Sequence, residues 1–280
     1  MPAPTVPGPT PTRSGPVTGR QDGDVIRYLG IPYATAARGV PPVSAVPVRG
    51  SDGRPVVLAA VHPAPACPQP SSRILDALMQ GALDGVARSE DCQRLSITLP
   101  ADLAPGETLP VIVWFHGGGY TTGAGDLAIH DPRALVVEQR VIVVAVTSRL
   151  GLLGFGGGAP GGPPANLGLL DQLEALRWIR DSIAAFGGDP RTVTAMGQSA
   201  GGDAILHLMI SDGARGLVRR AIVQSPPVGI TGGRERMFRA MGRVTRSLPA
   251  DAPLDAVLRR QAQAEVASWA SGIRAGLPWG

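Results

Sequence analysis

Ser199, which has a glycine two positions before it and another two positions after it, is the residue best suited to act as a nucleophile. The segment Gly197-Gln198-Ser199-Ala200-Gly201 lies between a short apolar run, 193–196, and a helix-like segment, 200–210. Glycines permit the crowded strand-to-helix turn that lifts a serine hydroxyl clear of the backbone. The helix that follows adds unpaired N–H groups and a partial positive charge. This context favours Ser199 as a catalytic nucleophile over an ordinary turn serine.

A run of three glycines could supply hydrogen-bond donors to the same site. The segment His116-Gly117-Gly118-Gly119-Tyr120 directly follows an apolar run that ends at Phe115. Acyl transfer develops negative charge on an oxygen, and N–H groups aimed at that oxygen stabilise it. We therefore expect the N–H groups of Gly118, Gly119 and Ala200 to form an oxyanion hole. By itself the run could be a flexible glycine turn, but its pairing with the Ser199 segment favours the donor role.

Strands and helices are predicted to alternate around these two segments. The apolar runs 110–115 and 141–146 fit parallel strands that are buried on both faces. The sequence predicts further elements as follows: strands over 25–34, 56–60, 96–99, 193–196 and 218–224, and helices over 74–88, 132–139, 167–186, 200–210, 234–248 and 254–272, with a loop over 151–164. Asn166 is expected to cap the helix over 167–186, and Gly187 to end it. The alternation indicates an α/β fold with a mainly parallel central sheet and helices on both faces.

Composition excludes several classes of function. Net charge is +4, and the 26 basic residues are all arginine, scattered apart from a mild cluster between Arg215 and Arg246. A nucleic-acid partner would require a basic stripe with interleaved aromatics, which the sequence lacks. No apolar run approaches the ~20 residues of a membrane span, so no membrane partner is expected. The histidines show no ligand spacing, so neither a metal nor another cofactor is expected.

The first twenty residues differ from the remainder in composition. Residues 1–20 are rich in Pro, Thr and Gly, and we expect them to form a disordered tail before a single domain over 21–280. The tail has no apolar core segment of the kind found in a secretory signal. The expected location is therefore cytoplasmic, with export left open.

Several segments, taken in order, resemble the carboxylesterase type B family, which includes cholinesterases and bacterial carboxylesterases. They are GIPYA (30–34), SEDC (89–92), PVIVWFHGGGY (110–120), RLGLLGF (149–155), NLGLLDQ (166–172), FGGDP (186–190) and GQSAGG (197–202). The resemblance runs from about Gly15 to the last residue. It implies an α/β-hydrolase fold, a small-molecule carboxylic ester substrate and an acyl-enzyme on Ser199. It also implies that Gly118, Gly119 and Ala200 are the oxyanion donors. Cys67 and Cys92 match positions that form a disulfide in exported members.

A general base for Ser199 is not evident. The one histidine after it, His207, lies eight residues along the same predicted helix, roughly 12 Å of rise away, and is expected to pack rather than to react. The resemblance implies that the acid and histidine of the triad lie beyond residue 280, together with the last strands of the sheet. We therefore expect a C-terminally truncated chain in which the strand over 218–224 is an exposed edge.

Three hypotheses follow from these residues. The first is a carboxylic ester hydrolase with little or no activity in this chain. The second is an active short esterase that uses His116, beside the glycine run, as a surrogate base. The third is a non-catalytic cholinesterase-like interaction protein, since the same fold serves both roles. The sequence leaves the acyl and alcohol preference and the oligomeric state open.

Overall fold

The computed structural model describes residues 8–70, 81–158, 162–228, 235–245, 249, 251–270 and 279. Eleven strands are present in this part of the chain: β1 Val17–Thr18, β2 Arg20–Asp22, β3 Val25–Pro32, β4 Ala34–Thr35, β5 Val43–Ser44, β6 Leu58–Ala59, β7 Arg94–Pro100, β8 Leu109–Phe115, β9 Ile142–Thr147, β10 Gly188–Gln198 and β11 Arg220–Gln224. Six α-helices accompany them: α1 Arg133–Gln139, α2 Gly151–Phe155, α3 Leu167–Ser182, α4 Ala200–Ile210, α5 Glu235–Thr245 and α6 Leu254–Ala270.

A seven-stranded sheet in the order β11-β10-β8-β9-β7-β3-β2 forms the centre of the fold. The strands β11, β10, β8 and β9 are mutually parallel, whereas β7, β3 and β2 join antiparallel to their neighbours. The predicted α/β class with a mainly parallel central sheet is confirmed. The antiparallel side of the sheet was not predicted, because strand direction depends on pairing between segments that are distant in sequence.

The register of the parallel strands brings the two chemically interesting segments together. Gly197 of β10 pairs with Phe115 of β8 on one side and with Val223 of β11 on the other. Because parallel strands end at the same edge of a sheet, the residues that follow β8 and β10 must lie side by side. Those residues are the glycine run and Ser199.

The core lies between the sheet and helix α3. Leu176, Trp178 and Ile179 of α3 are buried in one cluster with Val111 and Val113 of β8. The β8 residues alternate between buried and more exposed positions, as expected for a strand whose successive side chains point to opposite faces. Burial of a large apolar side chain contributes about 2 kcal/mol to the stability of the folded state. This layer therefore holds the sheet that carries the site.

Helix ends differ in detail from the sequence-based expectations. Asn166 does not cap α3 with its side chain; it adopts φ 57°, and its carbonyl oxygen accepts a 3.0 Å bond from the Leu170 N–H. Gly187, at φ 80°, ends the 3-10 turn Ile183–Phe186 that continues α3, as expected. The loop predicted over 151–164 begins with α2, because Leu153 is buried and the Gly154 N–H donates to the Leu150 carbonyl.

Part of the segment that was expected to form a disordered tail, residues 8–20, contacts helix α3 in the structure. Arg13 pairs with Glu174 and Asp181, and the Trp178 Nε1–H donates to Ser14 Oγ at 3.0 Å. These contacts dock the segment on α3 despite its proline content, which by itself indicated disorder. Residues 1–7 lie outside the described part, as do residues 74–80 of the helix predicted over 74–88. The other residues of that predicted helix, 81–88, form turns and an isolated bridge instead.

The strand β11 forms one of the two edges of the sheet in the described part of the chain. The strand β11 pairs with β10 alone, and Ile222 on it is 43% exposed. This agrees with the expected edge over 218–224, although the strand is only five residues long. Among the described helices, none combines the length and the apolar character needed to cross a bilayer.

Candidate active site

Ser199 lies at a sharp turn between β10 and α4. Its backbone adopts φ 53° and ψ −121°, a conformation that is costly for a residue with a side chain and is characteristic of functional sites. The turn is held from both sides: the Ser199 N–H donates to the Gln224 carbonyl at 2.8 Å, and the Asp203 N–H donates to the Ser199 carbonyl at 2.9 Å. A Cβ on Gly197 would stand 2.6 Å from the Gly201 carbonyl, so the turn requires glycine there. The structure therefore has the predicted strand–turn–helix around Ser199.

The glycine run forms a tight loop with left-handed backbone at successive positions. Gly118, Gly119 and Tyr120 have φ values of 104°, 62° and 58°. The Gly118 carbonyl accepts bonds of 3.0 and 3.1 Å from the N–H groups of Thr121 and Thr122. A Cβ on Gly118 would stand 2.0 Å from the Thr122 carbonyl oxygen, so only glycine fits. The loop is thus a defined turn, not a flexible connection.

The loop and the serine turn are in contact. A Cβ built on Gly117 would stand 3.3 Å from Cβ of Ser199 and 2.9 Å from the Gln198 carbonyl oxygen. Ala200 lines a small cavity together with residues of the loop, among them His116 and Gly117. The structure therefore brings together the segments that the sequence interpretation paired.

Unused hydrogen-bond donors lie in this loop. Within the described residues, neither the Gly118 N–H nor the Gly119 N–H has an acceptor. Ala200 is the first residue of α4, a position where N–H groups have no partner within the helix. Backbone donors without partners, next to a serine held in a strained turn, are what stabilisation of a developing oxyanion requires.

No histidine among the described residues hydrogen-bonds to Ser199. The His116 Nδ1 lies 2.7 Å from the Gly117 carbonyl, so this nitrogen carries the proton and donates it to that oxygen. Burial lowers the pKa of His116 to about 4, since the desolvation of a charged ring outweighs the bond to Gly117. A base with such a low pKa takes a serine proton poorly.

His207 is also directed elsewhere. Its Nε2 lies 3.7 Å from Oδ2 of Asp203, one turn back along α4, and its side chain is 40% exposed. This agrees with the expectation that His207 would not reach Ser199. The described residues contain no group of three or more side chains arranged to hold a metal ion.

Cys67 and Cys92 lie together in a buried cluster with Leu150 and Leu153 of the loop and helix after β9. Both are free thiols, and the Leu150 N–H donates to Cys67 Sγ at 3.3 Å. A hydrogen bond with Cys67, together with burial, raises the pKa of the Cys92 thiol well above its ordinary value. The two sulfurs are neighbours, as the resemblance implies, and the disulfide itself stays a prediction.

A buried ion pair supports the chain behind the site. Arg149 donates to both carboxylate oxygens of Asp171, at 2.6 and 2.8 Å, and its own backbone N–H adds a third bond of 3.0 Å. Both side chains are almost fully buried. Burial raises the pKa of Asp171, despite the opposing effects of Arg149. The pair fixes the segment between β9 and α2 onto α3.

One polar contact at the site was not predicted from the sequence, the bond from the Tyr120 hydroxyl to Oδ2 of Asp203. A signal was present, because Asp203 is the one acidic residue in the apolar helix AGGDAILHLMI. A carboxylate on the buried side of such a helix needs a partner. Its position one turn after Ser199 placed that partner near the site.

Comparison with known proteins agrees with this geometry. The model of the carboxylesterase family matches residues 8–249. The chain belongs to the carboxylesterase family. Among its relatives, a probable N-octanoylanthranilate hydrolase of Rhodococcus erythropolis is 43% identical over 81% of this chain and 47% of its own length. The para-nitrobenzyl esterase of Bacillus subtilis (strain 168) is 39% identical over 76% of this chain and 42% of its own length.

Solved structures give the fold of this carboxylesterase-family chain independently. A thermophilic PNB esterase superposes with a TM-score of 0.79 at 30% identity, over 93% of this chain and 55% of that chain. The α/β-hydrolase fold implied by the sequence resemblance is therefore confirmed. The chain spans about half the length of these three relatives.

Proposed function

We propose that this chain is a carboxylic ester hydrolase in which Ser199 is the nucleophile. The observation that supports this most directly is the contact between the Ser199 turn and a loop whose Gly118 and Gly119 N–H groups have no acceptor in the described part of the chain. A nucleophile alone, or a glycine loop alone, would fit many functions. Together they match the needs of acyl transfer.

In the proposed reaction, Ser199 Oγ forms a bond to the acyl carbon of a small-molecule ester. The electron pair of the carbonyl moves to its oxygen, where the N–H groups of Gly118, Gly119 and Ala200 stabilise the charge. The oxyanion then collapses, the alcohol leaves with a proton, and an acyl-enzyme remains. Water attacks the same carbon to release the acid and to restore the serine hydroxyl.

Turnover by this chain is proposed to be low. The serine proton needs a base, and within the described residues no histidine hydrogen-bonds to Ser199. A surrogate role for His116 is disfavoured by its pKa of about 4 and by its bond to Gly117. The strained turn and the oxyanion donors should still make Ser199 more reactive than an ordinary serine.

The test is covalent labelling together with turnover. A fluorophosphonate probe should label the purified chain at Ser199, as mapped by mass spectrometry, while a p-nitrophenyl ester is hydrolysed slowly. Ser199→Ala should abolish labelling, and Ser51→Ala, at an exposed serine, should leave it unchanged. Absence of labelling would refute the proposed nucleophile. Rapid turnover that Ser199→Ala abolishes would refute low activity, and its dependence on His116→Ala would then reveal a surrogate base.

A further inference from the structure

A side-chain hydrogen bond joins the two segments that hold the proposed oxyanion donors. The Tyr120 hydroxyl donates to Oδ2 of Asp203 at 2.6 Å, and both side chains are buried. Tyr120 directly follows the glycine run, whereas Asp203 lies one turn after Ser199 on α4. The bond therefore spans from the loop that carries Gly118 and Gly119 to the helix that begins at Ala200.

Tyr120 is fixed at several points along its length. Its backbone has φ 58°, and its carbonyl oxygen accepts a 2.7 Å bond from the Gly151 N–H. Its ring packs against Phe155, with ring centroids 4.7 Å apart and planes at 60°. The loop before it contains three residues without side chains, which have the greatest conformational freedom of any residue type. Tyr120 is consequently the first residue after Gly117 with a side chain that can anchor the loop.

Asp203 is held equally firmly on the other side. Its N–H donates to the Ser199 carbonyl at 2.9 Å, so the same residue that accepts the Tyr120 bond also closes the first turn after the nucleophile. A carboxylate in the first turn is favoured by the partial positive charge at a helix N-terminus. His207 Nε2, at 3.7 Å from the same oxygen, lies on the solvent side.

We propose that Tyr120 and Asp203 are positioning residues that set the distance between Ser199 and the N–H groups of Gly118 and Gly119. This inference rests on the proposed function. Donors must lie within hydrogen-bond distance of the oxyanion to act, and a displacement of about 1 Å can cost roughly 100-fold in rate. Neither residue touches substrate in this role; the effect passes through the backbone of the loop and of the helix.

The decisive change is Tyr120→Phe, with Tyr28→Phe as its matched control. Tyr28 also loses a hydroxyl hydrogen bond, to Thr10 at 3.1 Å, but it packs against Phe186, away from the loop. Labelling of Ser199 by a fluorophosphonate should show a maximal rate of inactivation reduced roughly tenfold or more in Tyr120→Phe, with an unchanged half-saturating probe concentration. Amide hydrogen exchange at Thr121 and Thr122, whose N–H groups donate to the Gly118 carbonyl, should accelerate in the same variant, as followed by NMR. Tyr28→Phe should change neither measurement.

Substitutions at Asp203 provide the second arm. Asp203→Asn keeps an acceptor oxygen and should retain most of the inactivation rate, whereas Asp203→Leu should match Tyr120→Phe. If Tyr120→Phe does not fold, the comparison of these two variants decides. An unchanged rate and unchanged exchange would overturn the proposal, as would an equal effect of Tyr28→Phe, which would indicate general loosening. If the unmodified chain is not labelled at Ser199, the proposed function fails, and exchange at Thr121 and Thr122 decides whether the bond positions the loop.

Discussion

Gly201 faces the Phe115 carbonyl so closely that a Cβ on Gly201 would stand 2.0 Å from that oxygen. The contact joins the first turn of α4 to the end of β8, where the glycine loop begins. It exists because Gly197 of β10 pairs with Phe115 in the parallel sheet, and the chain turns back over that pair. The first turn after the proposed nucleophile thus contacts the end of the strand that leads into the loop of the proposed oxyanion donors.

Gly201→Ala should destabilise the protein and separate these two segments. The added methyl group must displace backbone atoms of β8, and overpacking of this kind costs about 3 kcal/mol. Urea denaturation should report the loss, and fluorophosphonate labelling of Ser199 should fall with it. Gly242→Ala is the control, since no atom lies within 4 Å of a Cβ at that position on α5. That change should stabilise the helix by up to about 1 kcal/mol. Equal effects of the two substitutions would contradict the close approach.

The stability of the protein should depend on pH through His116. Burial lowers the pKa of this residue to about 4, against 6.5 in the unfolded chain. Between these values the unfolded state binds more protons than the folded state, so the free energy of unfolding falls as pH drops from about 6.5 to about 4. Across this window the free energy of unfolding should fall by about 3 kcal/mol, since each unit of pKa difference corresponds to about 1.4 kcal/mol.

Denaturation at several pH values, compared with His116→Gln, isolates this contribution. His130 also has a pKa lowered by burial, and burial raises the pKa of Asp126 and of Asp171, but these groups are common to both proteins. The difference between the two profiles should therefore follow His116, with a smaller contribution from its charge repulsion with His130. Parallel profiles would show that His116 is accessible to protons in the folded state.

Removing only one partner of the buried ion pair between Arg149 and Asp171 should strongly destabilise the protein. Arg149→Met leaves a buried carboxylate without its partner and should cost about 3–5 kcal/mol. Arg259→Met is the control, because Arg259 pairs with Asp255 in solvent, where such pairs contribute about 0.5 kcal/mol. The double substitution Arg149→Met with Asp171→Leu should cost less than the two single changes added together. Additive losses in urea denaturation would argue that the two side chains are not coupled.

The features predicted well from the sequence are those with local causes. Helix α4 begins at Ala200 and ends at Ile210, as predicted, because the apolar segment follows directly on a turn with its own glycine pattern. Strand β8 begins one residue before its predicted start, and β9 is shifted by one residue at both ends, since each is a continuous apolar run bounded by polar residues or glycine. Ser199 and the glycine run could be paired because both follow such strands.

The features missed depend on contacts between distant residues. Tyr120 and Asp203 are separated by 83 positions, and no local pattern links them. Ser14 and Trp178 are 164 positions apart, and the proline-rich composition around Ser14 pointed towards disorder. The antiparallel direction of β3 and β7 likewise depends on pairing, not on the composition of either strand. In each case tertiary contacts stabilise the observed structure, and they override the local propensity of the segment.

The docking of residues 8–20 on α3 can be tested at Arg13. Its guanidinium contacts Glu174, whose side chain is 7% exposed, and Asp181, which is 32% exposed. Arg13→Ala should leave the Glu174 carboxylate with Arg177 as its remaining cation and cost about 1–3 kcal/mol in urea denaturation. Arg215→Ala provides the matched control, since Arg215 and its partner Asp212 are 84% and 94% exposed, and the change should stay within about 0.5 kcal/mol. If both variants unfold at the same urea concentration as the unmodified chain, the segment is not docked in solution. That result would support the disordered tail expected from composition.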